Sequence, residues 1–352
     1  MEARTTYHKQ TETDYTLKLR EVLQTLPDFA REYFRGVDST TTPRTKLSYA
    51  YDLRVFFEFM LKENPSLKGK SLKTLDVSIL DQVKAADLEE YLVYLKLYEK
   101  GDRLEMNGER GLKRKMSALR SFYAYFYKRE RIETNPTLLV DMPKIHEKDI
   151  IFLDPDEVAI LLDYVEHAGD RLTGQEKVYY EKTKERDLAI ITLLLGTGIR
   201  VSECVGLDLE DVDFRSNGIH VTRKGGKEMT VYFGEEVEKA IKAYLPVRSA
   251  VTPVAGNEHA LFFSVQRKRI GVRTVENLVK KYARHVTTAK KITPHKLRST
   301  YGTSLYRETG DIYLVAQVLG HNDVNTTRAH YAALDDSRRR QAASAVRLRE
   351  KE

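Results

Sequence analysis

The chain has 352 residues, enough for two domains that each bury a core. Lys and Arg outnumber Asp and Glu by 59 to 52, giving a pI near 9.1 and favouring a polyanionic partner. A single cysteine, Cys204, excludes a disulfide framework and a cysteine-rich zinc site and fits a reducing cytoplasm. The stretch from Met1 to Thr16 is polar and charged, and no apolar run approaches the roughly 20 residues of a membrane helix, so a cytoplasmic, unanchored protein is expected.

The first strong helical period opens at Thr42-Pro43, a cap residue followed by the residue best tolerated at the first helical position. Leu47, Ala50, Leu53, Phe57 and Met60 recur at helical spacing and leave Arg44, Lys46 and Arg54 off the stripe. A second helix is expected from Asp87, with Glu90 completing a capping box and Leu88, Tyr91, Leu92 and Leu95 as its buried face. A third runs from about Gly111 on Leu112, Met116, Leu119, Tyr123 and Phe126. Lys113, Arg114, Lys115, Arg120, Lys128 and Arg129 then crowd its remaining surface, and phosphate contact is expected there, with Arg44 and Lys46.

Helical signal stops at Asn135-Pro136, and the prolines that follow bias the chain towards an extended linker over 141–153. This sets a helical first domain over 1–140, with an amino-terminal extension over 1–30, and a second domain over 154–352. The second opens with a helix near Asp154-Pro155. Its core helix, Glu185 to Leu195, is apolar almost all round and ends at Gly196-Thr197-Gly198. Gly218 to Thr222 and Met229 to Phe233 read as two strands around a Lys-Gly-Gly-Lys turn. Helices resume from about Arg273, and a polar tail covers 335–352.

Four segments of the second domain carry residues that packing does not explain. They are Gly196 to Glu203, Arg223 to Lys227, Thr293 to Thr300, and Leu319-Gly320-His321 leading to His330-Tyr331. Each alone is ordinary: a glycine turn before an arginine, a basic strand turn, an exposed helix start. In this order and at these separations they resemble the tyrosine recombinase or phage integrase family, and within it the Xer recombinases. The resemblance spans the second domain and, more loosely, the helical first. It implies a mainly α, two-domain fold: a helical, SAM-like core-binding domain and an α+β catalytic domain with a small antiparallel sheet. It also implies that Arg200, Lys224, His295, Arg298 and His321 form the active site, with Tyr331 as nucleophile. The segment from Leu19 to Tyr33 resembles the Xer variant that works as a single recombinase.

The residue chemistry fits those assignments. Attack on a phosphodiester builds negative charge on the non-bridging oxygens, and the forked guanidinium groups of Arg200 and Arg298 match phosphate. A phenol, with an unperturbed pKa near ~10, needs help to lose its proton, and His295 is the candidate base. The leaving 5′ oxygen needs a proton in return, from Lys224 or alternatively Lys227. His321 would donate to a non-bridging oxygen, and Glu203 would orient its neighbours. A covalent 3′-phosphotyrosyl intermediate keeps one phosphoester bond for each one broken, so no cofactor is expected. The nucleotide loop Gly-x-x-x-x-Gly-Lys-Ser/Thr and the metal-helix motif His-Glu-x-x-His are both absent, and no metal ligand set is expected.

Two departures from the Xer pattern stand out: Ser299 where many Xer proteins carry histidine, and one extra residue between His321 and Tyr331. Neither removes a catalytic group, and both keep a mobile-element integrase beside chromosome dimer resolution. The tail, with Arg338, Arg339, Arg340, Arg347 and Arg349 around small apolar residues, is amphipathic. The resemblance implies that it docks on a neighbouring subunit of a homo-tetramer assembled on duplex DNA, with strand exchange through a Holliday junction. It also leaves room for a DNA translocase or another accessory factor. A type IB topoisomerase and a DNA-binding regulator with a decayed site are the rival readings.

Overall fold

The computed structural model describes residues 7–67, 69–146, 150–223, 226–320 and 324. Contacts divide the chain into two compact units, Met1–Lys148 and Asp149–Glu352.

The first unit consists of α1 (Tyr7–Leu23), α2 (Ala30–Gly36), α3 (Pro43–Glu63), α4 (Ala85–Lys96), the strands β1 (Leu97–Lys100) and β2 (Arg103–Met106), and α5 (Glu109–Tyr127). α3 begins where Pro43 leaves no N–H unpaired, and the Thr42 hydroxyl accepts from the Thr45 N–H at 3.4 Å. Every expected stripe residue of α3 and α5 is buried. The stripes meet on Phe29, whose ring lies 5.9, 6.1 and 5.6 Å from those of Phe57, Phe122 and Phe126. Two of the three contacts are edge-on, worth about 0.5–1.5 kcal/mol each beyond the area they bury.

Four expectations for this unit need correction. α4 begins at Ala85 rather than Asp87, and Asp87 is the acceptor that reaches back to the Lys84 N–H at 2.7 Å. The unit is not wholly helical, because β1 and β2 form an antiparallel hairpin in which Lys100 pairs with Arg103. Gly101 sits at φ 58° in its two-residue loop, a conformation glycine adopts without strain. Lys46 is buried and ion-paired with Asp38. Lys115 is also buried, 3.1 Å from the buried Asp52 carboxylate that Arg114 pairs with as well. A carboxylate on another helix, 63 positions away, draws Lys115 inward, and helical period alone does not show that.

The second unit consists of α6 (Pro155–His167), α7 (Gly174–Glu181), α8 (Lys184–Thr197), α9 (Val201–Gly206), β3 (Val212–Asp213), β4 (Gly218–Thr222), β5 (Glu228–Tyr232), α10 (Glu235–Ser249), α11 (Val272–Ala283), α12 (Pro294–Thr309) and α13 (Ile312–Leu319). α8 is the central helix, packed by α6, α10 and α12, with Ala189, Ile190, Ile191, Leu193 and Leu194 fully buried. Its buried Asp187 is satisfied by Arg186 at 2.6 Å and the Tyr282 hydroxyl at 3.0 Å. The sheet is antiparallel in the order β3-β4-β5, with Ile219 opposite Val231 and Thr222 opposite Glu228. β5 thus starts one residue earlier than expected, and β3 and α10 are additional elements. Three acidic residues in the first turn of α10, Glu235, Glu236 and Glu238, favour the positive end of its dipole. Among the described residues no helix is long and apolar enough to cross a membrane.

Candidate active site

α8 ends in a left-handed Gly198, at φ 62°, which turns the chain into Arg200 and α9. A side chain at 198 would be strained by that φ and would fall 2.4 Å from the Tyr301 ring and 2.9 Å from Leu319. Arg200 stands at the amino-terminal cap of α9. Glu203, one turn on, holds it twice: Oε2 accepts from the Arg200 backbone N–H at 2.8 Å and Oε1 from Nη1 at 2.7 Å. The Glu203 side chain is only 4% exposed, whereas that of Arg200 keeps 36% of its surface open.

Arg298 arrives from α12, which starts at Thr293-Pro294. It is buried, with Nη1 donating to Gly198 O at 2.6 Å and Nη2 to Leu319 O. Arg200 Nη2 donates to the next carbonyl, Gly320 O, at 3.2 Å. α13 ends in Gly320, left-handed at φ 62°. The last carbonyls of a helix have no intrahelical donor, and its carboxyl end carries partial negative charge, so cations gather there for a physical reason. Arg200 and Arg298, 98 positions apart, therefore share one locus, immediately before His321 in the chain.

A third guanidinium completes the group. Arg223 follows β4, and its Nη2 donates to Val318 O at 2.6 Å. Burial pulls its pKa below the usual arginine value; the charge of Glu203 opposes this, and that of Arg200 adds to it to a smaller extent. Arg223 opens the basic segment that runs to Lys227, but it is not among the site residues expected from the sequence. Strand alternation was the available signal: Ile219, Val221 and Arg223 are buried, while His220 and Thr222 are exposed.

His295 lies exposed on the first turn of α12, three residues before Arg298 and so on the same helix face. Ser299 donates to its backbone oxygen at 3.1 Å. Lys227 is exposed, and its backbone oxygen accepts from the Arg223 N–H at 2.7 Å, closing the hairpin. Lys224, His321, Tyr331 and the tail over 335–352 lie outside the described residues. Of the expected phosphate contacts in the first unit, Arg44, Lys113 and Arg114 are exposed. Arg120 is half-buried and donates to the backbone oxygens of Thr137 at 3.2 Å and Val140 at 2.6 Å. Lys46 and Lys115 are buried, as described. Among the described residues no cluster of three His, Cys, Asp or Glu side chains is placed to hold a metal ion.

Residues 152–338 match the family described as the phage integrase family. The tyrosine recombinase XerC of Caldanaerobacter subterraneus subsp. tengcongensis is 35% identical over 323 residues, covering 89% of this chain and 84% of that protein. The tyrosine recombinase XerS of Streptococcus equi subsp. zooepidemicus is 31% identical over 350 residues, covering 92% and 96%. The fold is shared with the XerH site-specific recombinase bound to a palindromic difH substrate, at TM-score 0.64, 19% identity and 98% coverage of both chains. It is shared also with a lambda integrase dimer bound to a COC′ core site, at TM-score 0.60 and 14% identity over 86% of this chain and 93% of that one. The chain therefore belongs to the phage integrase family of tyrosine recombinases, enzymes that cleave and rejoin DNA at specific sites.

Proposed function

We propose that Tyr331 attacks the scissile phosphate of a duplex target site, forms a 3′-phosphotyrosyl intermediate and releases a 5′ hydroxyl. Strand exchange then proceeds through a Holliday junction to religation. The observation that carries this reading is the convergence of Arg200 and Arg298 on the carbonyls of Gly320 and Leu319. Two forked donors held by the fold before substrate arrives suit a phosphorane-like transition state, because no reorganisation is needed as charge builds. In this reading His295 takes the phenol proton, Lys224 protonates the leaving oxygen, His321 donates to a non-bridging oxygen, and Glu203 fixes Arg200. Lys227 is the second candidate for the acid. Arg44, Lys113 and Arg114 contact DNA phosphates, while Lys46, Lys115 and Arg120 shape the fold that presents them.

The decisive comparison is Tyr331→Phe on a nicked trapping substrate. The variant binds its site and yields no covalent protein-DNA adduct; an undiminished adduct removes Tyr331 from its role and turns attention to Tyr313, which is 70% exposed on α13.

The biological setting we infer is Xer-like chromosome dimer resolution by a homo-tetramer of one recombinase in the cytoplasm, aided by a translocase or another accessory factor. Integration of a mobile element is the second reading, supported by Ser299 and by the extra residue before Tyr331. Mapping the chain on its own genome separates them. A site near the replication terminus supports dimer resolution, and sites at element ends support integration.

A further inference from the structure

Arg223 is the one member of the arginine group that the family pattern does not assign. Its backbone continues β4, and the alternation of that strand turns its side chain inward with Ile219 and Val221. Inside, it makes one hydrogen bond, from Nη2 to Val318 O at 2.6 Å. Its Nε and Nη1 are buried and have no hydrogen-bond partner among the described residues. The residue keeps only 8% of its surface exposed. Gly320 packs directly against the guanidinium: a β-carbon there would fall 1.2 Å from Arg223 Nη1.

Four features separate this arrangement from ordinary packing. An aliphatic side chain would fill the space without leaving two guanidinium nitrogens unpartnered, so the guanidinium is retained at a cost. Among the described residues, its bond to Val318 O is the hydrogen bond that joins the sheet to α13. The carbonyls of residues 318, 319 and 320 each take one guanidinium, from Arg223, Arg298 and Arg200 in turn. The residue covalently next to Arg223 is Lys224, the proton donor of the proposed mechanism.

We propose that Arg223 is a positioning residue that fixes the end of β4 against the end of α13, so that proton delivery to the leaving 5′ oxygen by its chain neighbour Lys224 depends on it. This rests on the reading of Lys224 as general acid. In the cleavage step the Tyr331 Oη–P bond forms and the P–O5′ bond breaks. The phenol proton goes to His295, and the departing oxygen takes a proton from Lys224 Nζ. Arg223 touches none of these atoms. Its contribution is to the distance between the Lys224 ammonium and O5′.

The test uses the full chain on two nicked substrates, one natural and one with sulfur in place of the bridging 5′ oxygen. A thiolate leaves without a proton, since a thiol has a pKa near ~8.5, so the sulfur substrate bypasses the acid. Arg223→Ala is expected to cleave the natural bound substrate about 10²-fold more slowly, the lower range for loss of a general acid. On the sulfur substrate it should cleave close to the rate of the unaltered chain. Arg223→Lys, which keeps one donor and the charge, should recover part of the natural-substrate rate, and it carries the comparison should the alanine chain not fold. Equal slowing on both substrates would place Arg223 on the phosphate or in the fold at large and overturn the proposal, as would no slowing on either. Lys224→Ala is the internal control. If sulfur rescues Lys224→Ala but not Arg223→Ala, the positioning role fails alone. If sulfur rescues neither, the acid assignment of Lys224 fails with it.

Discussion

Glu203 holds Arg200 by its backbone and by its guanidinium together, at 2.8 and 2.7 Å, and is itself nearly inaccessible to solvent. The cap of α9 and the orientation of the phosphate donor are therefore one interaction. A carboxylate that fixes both cannot be shortened or neutralised without freeing the fork it aims.

Glu203→Gln should consequently keep DNA binding and lose cleavage by about 10²-fold, the effect of misplacing a catalytic donor by about an ångström. Single-turnover cleavage on a saturating nicked substrate measures it. A variant that cleaves at the full rate would show that Arg200 is held well enough without the carboxylate.

Gly320→Ala meets two obstacles, a left-handed backbone and the Arg223 guanidinium. The backbone alone costs roughly 1–2 kcal/mol for an L side chain. Cleavage should fall further than the loss of stability explains, because Arg223 has to leave its place and the carbonyls that anchor Arg298 and Arg200 shift with it. Thermal melting and adduct formation measured on the same preparation separate the two effects, and a fall in melting with unchanged adduct rate would contradict the coupling.

Burial sorts the cations of α5. Lys113→Ala should lower the slope of log binding constant against log salt by about 0.9, one released counterion, with little change in stability. Asp52→Ala, which leaves Lys115 buried without its carboxylate, should cost about 3–5 kcal/mol in denaturant unfolding. Adding Lys115→Met to it should recover much of that loss and leave the salt slope alone. A reduced slope in the double variant would return Lys115 to the DNA surface.

Alkaline pH should loosen the first unit. Burial raises the Tyr33 phenol from 10.0 to about 12, with the hydrogen bond to Ser121 opposing. The folded value lies above the unfolded one, so the contribution is complete below pH 10 and is lost as pH rises towards 12, by up to about 1.4 kcal/mol per unit. Tyr33→Phe, which gives up the 2.8 Å bond to Ser121, should start less stable by about 1 kcal/mol yet decline less steeply above pH 10. Parallel declines in the two chains would mean that this phenol ionises normally in the folded state.

Period and capping made much of the fold legible. The stripes of α3 and α5, the apolar α8 and the paired strands β4 and β5 stand in the sequence because each buries one face or all of it. β1 and β2 leave no such trace, since seven of their eight residues are exposed and no alternation can form. The inward turn of Lys46 and Lys115 was hidden for another reason: their carboxylate partners lie outside their own helices, Asp38 in the preceding turn and Asp52 on α3, and basic residues are read as surface by default. Arg200, Arg298 and Glu203 were found through motif resemblance, whereas their meeting on the end of α13 depends on tertiary packing. Arg223 shows the same default at work, because its place in the strand alternation pointed inward while its charge argued for solvent.

The arginines at the end of α13 are anchored chiefly to backbone oxygens, which have dipoles but no net charge. Among the described residues Glu203 is the carboxylate that pairs with Arg200, while the other anchors are carbonyls, so most of the positive field stays uncancelled and should attract small anions. Inorganic phosphate should therefore compete with DNA cleavage more strongly than chloride does at matched ionic strength. Equal inhibition by the two salts would show that the attraction is weak.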